Sequence, residues 1–264
     1  MPFTTANDLK IYYEIHGEGE PLFLISGFSQ NHLSWKAFVP TLSQHFQVVC
    51  FDNRGAGQTD APEKGYSIEQ LSQDTVALMD KLEIESAHFM GESMGTAITL
   101  QTCVDHPDRV KKAVLCAPFS HFPEITKNTV RNQLHLLTAG VDYSLLVEMN
   151  ASWVLSNKFM SMPGKLESYY EKMRTNPYPI SKEGIFGQAH ALLEFDLRDQ
   201  LDKIPHEILL LIGEQDIATP PYCAEEIMKK TGSASMHLFK DVGHQFNFEI
   251  PEQSAKAALA FLQK

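Results

Sequence analysis

The pentapeptide GESMG at residues 91–95 constrains the fold of this chain more than any other feature. An apolar run ends immediately before it, and apolar residues recur at helical spacing immediately after it, which predicts a strand, a tight turn and a helix. On such a turn Ser93 must adopt a positive φ, and glycines two places to either side remove the Cβ atoms that would collide there. The sequence therefore predicts a serine held in a strained backbone conformation at the end of a strand.

This turn would expose the hydroxyl of Ser93 above the edge of a sheet and place the backbone N–H of Met94 beside it. The N-terminus of the following helix would favour any negative charge that develops nearby. Such an arrangement, a nucleophile elbow, is typical of enzymes that transfer acyl groups through a serine. Because GxSxG also occurs by chance, this interpretation depends on finding a base and an acid elsewhere in the chain.

The rest of the chain alternates apolar runs with helical patterns. Short apolar runs at residues 46–51, 110–117 and 207–213 have the composition of buried strands. Such alternation gives a parallel sheet with helices on both faces, so we predict an α/β fold with a doubly wound, mostly parallel sheet of about eight strands. Residues 9–15 and 21–27 are predicted to form a hairpin that leads into a buried strand.

The alternation stops at residue 119 and resumes at residue 188. We predict that residues 119–187 form a helical lid inserted into a core made of residues 1–118 and 188–264. The insertion follows a strand whose carboxyl end faces the predicted site, so it should form a roof over Ser93. Its large apolar side chains are expected mostly to pack between helices, and some of them to line a pocket. These side chains are Phe122, Leu136, Leu137, Leu145, Leu146, Trp153, Phe159 and Met160.

Two further residues fall where activation of a serine requires them. Asp216 follows the predicted strand that ends at Gly213, and His244 follows the next predicted strand. Since the carboxyl ends of parallel strands meet at one edge of a sheet, we expect both side chains to lie near Ser93. The histidine would remove the serine proton, and the carboxylate would hold the correct tautomer of the ring. Asp241 is the alternative acid, although a carboxylate three residues before His244 rarely reaches round to its Nδ1.

The order Ser93, Asp216, His244 resembles that of the α/β-hydrolase superfamily. The elbow, the DNRGAGQTD loop and the GEQD and VGH segments extend the resemblance over essentially the whole chain. Within the superfamily, the chain is most similar to small carboxylesterases and the 3-oxoadipate enol-lactonase group. The resemblance implies an α/β-hydrolase fold with a helical lid, these three residues as the catalytic triad, and no cofactor.

The resemblance also implies an oxyanion hole made by two backbone N–H groups, those of Phe28 and Met94. Phe28 belongs to the loop Ser26-Gly27-Phe28, which follows an early strand. Ser26 stands where the family usually has a histidine, so the anchoring of this loop departs from the family pattern.

The activity implied by the resemblance is hydrolysis of a carboxylic ester of a small molecule through an acyl-enzyme on Ser93. An enol-lactonase, or a C–C bond hydrolase of aromatic catabolism, would use the same residues. A receptor that binds a small signalling molecule in the pocket and hydrolyses it slowly or not at all is an alternative from another class of protein.

Composition narrows the partners and the location of the protein. The formal net charge of −11 argues against nucleic acid and an anionic membrane surface, because both require clusters of Lys and Arg. The first residues lack a signal-peptide pattern and no apolar run is long enough to span a bilayer, so we expect a cytoplasmic protein. The four cysteines are widely spaced, which predicts reduced thiols, and without a CxxC or HxxxH pair we predict no metal site.

Overall fold

Eight strands form one sheet in this computed structural model, which describes residues 2–264. The strands are β1 (Phe3–Ala6), β2 (Leu9–His16), β3 (Glu20–Ile25), β4 (Phe46–Phe51), β5 (Ala87–Glu92), β6 (Val110–Cys116), β7 (Glu207–Gly213) and β8 (Ala234–Phe239). In the order β1-β2-β4-β3-β5-β6-β7-β8, the first two neighbouring pairs are antiparallel and all the others are parallel. The predicted mostly parallel sheet is therefore confirmed.

The predicted hairpin between residues 9–15 and 21–27 is wrong, because β4 lies between β2 and β3 in the sheet. The last four residues of β3 are buried completely, and β3 pairs in parallel with β4 on one side and with β5 on the other, which is typical of strands covered on both faces. The actual hairpin joins β1 to β2 through Asn7 and Asp8, which both have positive φ, at 51° and 56°. Positive φ at both central residues is the requirement of a type I′ turn, for which Asn and Asp are favoured.

Helices cover both faces of the sheet. The helices are α1 (Val39–Leu42), α2 (Ile68–Lys81), α3 (Met94–Asp105), α4 (Glu124–Thr138), α5 (Tyr143–Val154), α6 (Asn157–Ser161), α7 (Lys165–Arg174), α8 (Lys182–Glu194), α9 (Pro221–Lys230), α10 (Phe246–Glu249) and α11 (Pro251–Leu262). On one face, Phe23, Phe51 and Phe89 share a buried cluster with α2, α3, α8 and α9. On the other face, Trp35 and Phe246 share a buried cluster with α1 and α11.

Five helices, α4 to α8, separate β6 from β7 and occupy the region predicted as a lid. Helices α5, α6 and α7 share a small apolar cluster of their own, whereas Val130 of α4 and Ala189 of α8 join the main core. Residue 187 lies within α8, so this helix continues through the predicted boundary. The division into a core and a lid stays a prediction, and we refer to residues 119–187 as the helical insertion.

No helix within residues 2–264 combines the length and the apolar character that a membrane span requires. The four cysteines are buried as free thiols. Among the same residues, no group of three or more His, Cys, Asp and Glu side chains has an arrangement that could hold a metal ion.

Candidate active site

Ser93 lies on the predicted sharp turn between β5 and α3, with φ 52° and ψ −115°. The two flanking glycines are required by close backbone contacts. A Cβ atom on Gly91 would lie 2.3 Å from the carbonyl oxygen of Gly95, and one on Gly95 would lie 2.0 Å from the carbonyl oxygen of Ile25. The pentapeptide thus packs β5, α3 and β3 together so tightly that only glycine fits at these two positions.

The structure brings Ser93, His244 and Asp216 together in a chain of hydrogen bonds. Nε2 of His244 lies 2.9 Å from Oγ of Ser93, and Nδ1 of His244 lies 2.8 Å from Oδ2 of Asp216. Burial of the ring disfavours its charged form, but the charge and hydrogen bond of Asp216, with the charges of Glu92 and Glu249, outweigh this effect and raise the pKa of His244. This geometry suits transfer of a proton from the serine hydroxyl to the ring.

Asp216 is fixed by its own turn. Its Oδ1 accepts hydrogen bonds from the backbone N–H groups of Ala218 and Thr219, at 2.9 and 2.8 Å. The hydroxyl of Thr219 lies 2.9 Å from Oδ2 of Asp216 and 3.2 Å from Nδ1 of His244. Sequence reasoning missed Thr219, because nothing local shows that its hydroxyl reaches the imidazole 25 positions away.

Asp241, the alternative acid, does not contact the imidazole. Its backbone has φ 59°, and its half-exposed carboxylate lies 3.8 Å from Nζ of Lys158. The positive φ belongs to a turn that directs the chain after β8 towards the site. Of the two acids considered from the sequence, the structure therefore places only Asp216 against His244.

The loop after β3 carries Phe28, the predicted second oxyanion donor. Phe28 and the adjacent Ser29 line the same cavity as Ser93. Ser29 has φ 60°, and its N–H donates to Oε1 of the buried Gln188 at 3.0 Å. Within residues 2–264, the N–H groups of Phe28 and Met94 donate to no other group. Their role as an oxyanion hole stays a prediction.

The serine that replaces the usual histidine in this loop is itself anchored. Oγ of Ser26 accepts a hydrogen bond from the indole N–H of Trp35 at 3.0 Å and donates to the carbonyl of Asn31 at 3.2 Å. The carbonyl of Ser26 accepts from the side-chain amide of Asn53 at 3.0 Å. Trp35 and Asn53 thus hold the loop in place of a histidine.

A cavity of about 610 Å³ extends from Ser93 and His244 beneath the helical insertion. Four of the eight apolar residues named from the sequence line it: Phe122, Leu137, Leu146 and Trp153. The other four do not line it. Phe159 packs inside the cluster formed by α5, α6 and α7 with Met160 against it, Leu145 is exposed, and Leu136 is half-buried outside the lining.

One acidic residue beside Ser93 was not anticipated from the sequence. Glu92 is 1% exposed, and neither of its carboxyl oxygens makes a hydrogen bond with residues 2–264. Burial raises the pKa of Glu92 to about 7. The charge of His244 and the nearby N–H groups of Asn247 and Phe246 act against this rise, although these N–H groups do not meet the geometry of a hydrogen bond to the carboxylate. Nothing in the pentapeptide pattern marks this residue, because its electrostatic effect on the site follows from its burial on β5.

The fold agrees with comparisons to known proteins. The chain belongs to the α/β hydrolase fold family, whose model matches residues 20–251. It is a hydrolase by this membership and by its relatives. RutD of Caulobacter segnis, a protein provisionally named a carbamate hydrolase, is 27% identical over 98% of this chain and 99% of its own length.

Two further similarities concern different reactions. The 2-hydroxy-6-oxo-6-phenylhexa-2,4-dienoate hydrolase of Comamonas testosteroni is 25% identical over 98% of this chain and 93% of its own length. The crystal structure of the enol-lactonase from Burkholderia xenovorans matches with a TM-score of 0.84 and 26% identity, over 100% of both chains.

Proposed function

We propose that this protein is a serine hydrolase that cleaves a carboxylic ester of a small molecule through an acyl-enzyme on Ser93. The observation that supports this most directly is the pair of hydrogen bonds that links Asp216 to His244 and His244 to Ser93, two residues that line the cavity. Three side chains in this order are the machinery that serine acyl transfer requires.

In the proposed reaction, Nε2 of His244 removes the proton of the Ser93 hydroxyl as the oxygen attacks the ester carbonyl. The negative charge that develops on the carbonyl oxygen is held by the N–H groups of Phe28 and Met94. The imidazolium, stabilised by Asp216, then returns the proton to the departing alcohol. A water molecule, deprotonated by the same ring, releases the acid and restores the hydroxyl.

The charge of the cavity wall favours neutral or anionic substrates over cationic ones. Within residues 2–264 the lining includes no aspartate or glutamate, although the whole chain carries a formal charge of −11. Two exposed lysines, Lys36 and Lys172, contribute to the wall, and neither forms an ion pair with a described carboxylate. An ester with an apolar acyl group and no positive charge fits these surroundings.

Lactone hydrolysis is the second candidate, and the full-length similarity to the enol-lactonase of Burkholderia xenovorans favours it. A lactone would follow the same steps, except that the alcohol stays attached to the acyl group. The similarity to the Comamonas testosteroni enzyme keeps C–C bond hydrolysis as a further alternative. A receptor with vestigial hydrolysis would share the hydrogen-bonded residues but turn over slowly.

A substrate panel with the purified protein tests these candidates. The panel contains 4-nitrophenyl esters of increasing acyl length, an ester with a quaternary ammonium group, and five- and six-membered lactones, and Ser93→Ala is the control. Turnover of neutral esters that Ser93→Ala abolishes would support the proposal. Rapid labelling of Ser93 by a fluorophosphonate without turnover of any substrate would favour the receptor, and preference for lactones would favour the second candidate.

A further inference from the structure

The loop that carries His244 lies at the edge of the sheet. It follows β8, the last strand in the sheet order, whose residues 235–238 are exposed. The turns that carry Ser93 and Asp216 follow β5 and β7, which are flanked by strands on both sides. The loop of His244 therefore needs contacts from outside the sheet to hold its position.

The first of these contacts comes from the end of α5 in the helical insertion. The carbonyl oxygen of Val154 accepts hydrogen bonds from the backbone N–H groups of both His244 and Gln245, at 2.9 and 3.1 Å. The last carbonyl groups of a helix have no partner inside the helix. This one is satisfied by the main chain of the histidine itself, which fixes the point from which the imidazole extends.

The second contact is made by the carboxylate of Glu249, at the end of α10. Its Oε1 accepts from the backbone N–H groups of Ser156 and Gly243, at 3.0 and 3.1 Å, and its Oε2 accepts from the hydroxyl of Ser156. The side chain thus binds the helical insertion on one side and the residue before His244 on the other.

Gly243 is required for this close approach. A Cβ atom at this position would lie 2.7 Å from the backbone nitrogen of Ser156 and 2.8 Å from Oε1 of Glu249. The glycine of the VGH segment therefore has a steric role in joining the two parts. We call Val154, Ser156, Gly243 and Glu249 the histidine clasp.

We infer that the histidine clasp positions His244 for proton transfer, with Glu249 as its central positioning residue. This inference rests on the proposed function and gives the helical insertion a part in the chemistry as well as in substrate choice. Glu249 does not line the cavity, so its loss should disturb the ring without altering the surface that substrate touches. Misplacement of a reacting group by about 1 Å can cost about a hundredfold in rate.

The test compares Glu249→Ala with Glu249→Gln on 4-nitrophenyl acetate, with rates normalised to active sites titrated by a fluorophosphonate. We expect kcat to fall by about 10- to 100-fold in Glu249→Ala, with KM within about threefold. Glutamine can accept from both backbone N–H groups and donate to the Ser156 hydroxyl, so Glu249→Gln should keep kcat within about threefold of wild type. A purely structural role would lower the yield of folded protein and leave the normalised kcat unchanged in both variants.

Two helix N-caps in the insertion provide a matched control. Ser156 caps α6 by accepting from the N–H of Phe159 at 3.0 Å, and Asp142 caps α5 by accepting from the N–H of Ser144 at 2.7 Å. Only Ser156 touches Glu249. We expect Ser156→Ala to lower kcat by about 3- to 10-fold and Asp142→Ala to leave it within about twofold.

The comparison of Ser156→Ala with Asp142→Ala tests the positioning role even if Glu249→Ala does not fold. Equal loss of kcat in Ser156→Ala and Asp142→Ala would overturn the inference, because any weakening of the insertion would then have the same effect. Full normalised kcat in Glu249→Ala would overturn it too. If Ser93→Ala is inactive in that case, the proposed function stands and only the positioning role is lost. If Ser93→Ala is active, the proposed function itself fails.

Discussion

The two ends of the hydrogen-bonded chain at the site, Ser93 and Asp216, are held differently from its middle member, His244. The backbone N–H of Ser93 donates to the carbonyl of Cys116 on the neighbouring strand β6 at 2.9 Å, and the carboxylate of Asp216 is bound by the N–H groups of its own turn. By contrast, the main chain of His244 is held by Val154, and that of Ser29, next to Phe28, by Gln188. Val154 and Gln188 belong to helices between β6 and β7.

This contrast shows that Ser93 and Asp216, the proposed nucleophile and acid, are built into the sheet. The proposed base and the predicted oxyanion loop depend on helices outside it. Insertions of this kind are usually considered for their effect on substrate choice. Here the insertion also makes main-chain hydrogen bonds to the loop of the proposed base. Variants of the two groups of residues separate what the sheet supplies from what the insertion supplies.

The largest effect is expected at the nucleophile. Ser93→Ala should remove nearly all ester hydrolysis, while the residual rate stays roughly a thousandfold or more above that in water because binding and the backbone donors remain. Only a hydroxyl at a turn is lost, so the free energy of unfolding should change by less than about 1 kcal/mol. Steady-state kinetics and denaturant unfolding measure both. Undiminished fluorophosphonate labelling of the variant would place the nucleophile elsewhere.

The second prediction concerns the acid held by the sheet. Asp216→Asn should lower kcat by about 10⁴-fold, because an amide would favour the wrong tautomer of His244. Asp241→Asn should keep kcat within about threefold, since Asp241 faces solvent and Lys158. The two variants are compared on the same ester. A larger loss at Asp241 would contradict the assignment of Asp216 as the orienting acid.

The third prediction separates the side chains of the insertion from its main chain. Trp153 and its neighbour Val154 both line the cavity, and Val154 also holds the loop of His244 through its carbonyl. Trp153→Ala should shift relative kcat/KM among esters of different acyl length by about 1–3 kcal/mol. Labelling of Ser93 should stay within about tenfold, because the backbone hydrogen bonds are kept.

A role for Trp153 in packing alone would give a different result. If Trp153 only packs between helices, the variant will lose stability and treat all esters alike. An unchanged chain-length profile in Trp153→Ala, and in parallel variants of Phe122 and Leu146, would show that the insertion does not select the substrate.

The smallest effect is expected on the pH dependence. His244 acts as a base only when neutral, so kcat/KM should fall as the pH drops through its pKa, which lies above the ordinary value of about 6.5. Asp216, Glu92 and Glu249 all raise that pKa through their charges. Glu92→Gln removes one of these charges, so the acid limb should move to lower pH. A shift to higher pH, or a flat profile down to about pH 4.5, would contradict a histidine base in this setting.

Local features of the site could be predicted from the sequence, and long-range ones could not. The strained turn at Ser93 followed from two glycines within five residues, and the positions of Asp216 and His244 followed from the ends of apolar runs. The wrong hairpin arose because nothing local in β2 and β3 shows that β4 will lie between them.

The supporting residues were missed for the same reason. Glu249 binds Ser156 from 93 positions away, and Gln188 binds the N–H of Ser29 from 159 positions away. A single polar residue on an amphipathic helix carries no sign of such a distant partner. Glu92 was overlooked because its significance lies in its burial, which follows from the position of β5 at the centre of the sheet.

The histidine clasp has a consequence for recombination between related hydrolases. Residues 119–187 would be a natural segment to exchange in a chimaera, because they form a block between two strands. An exchange at these breakpoints would keep Gly243 and Glu249 from one parent and take the residues at 154 and 156 from the other. A chimaera should therefore be functional when the donor segment ends a helix with a free carbonyl at position 154 and has a serine or threonine at position 156. It should also be functional when residues 243–249 are transferred together with the segment.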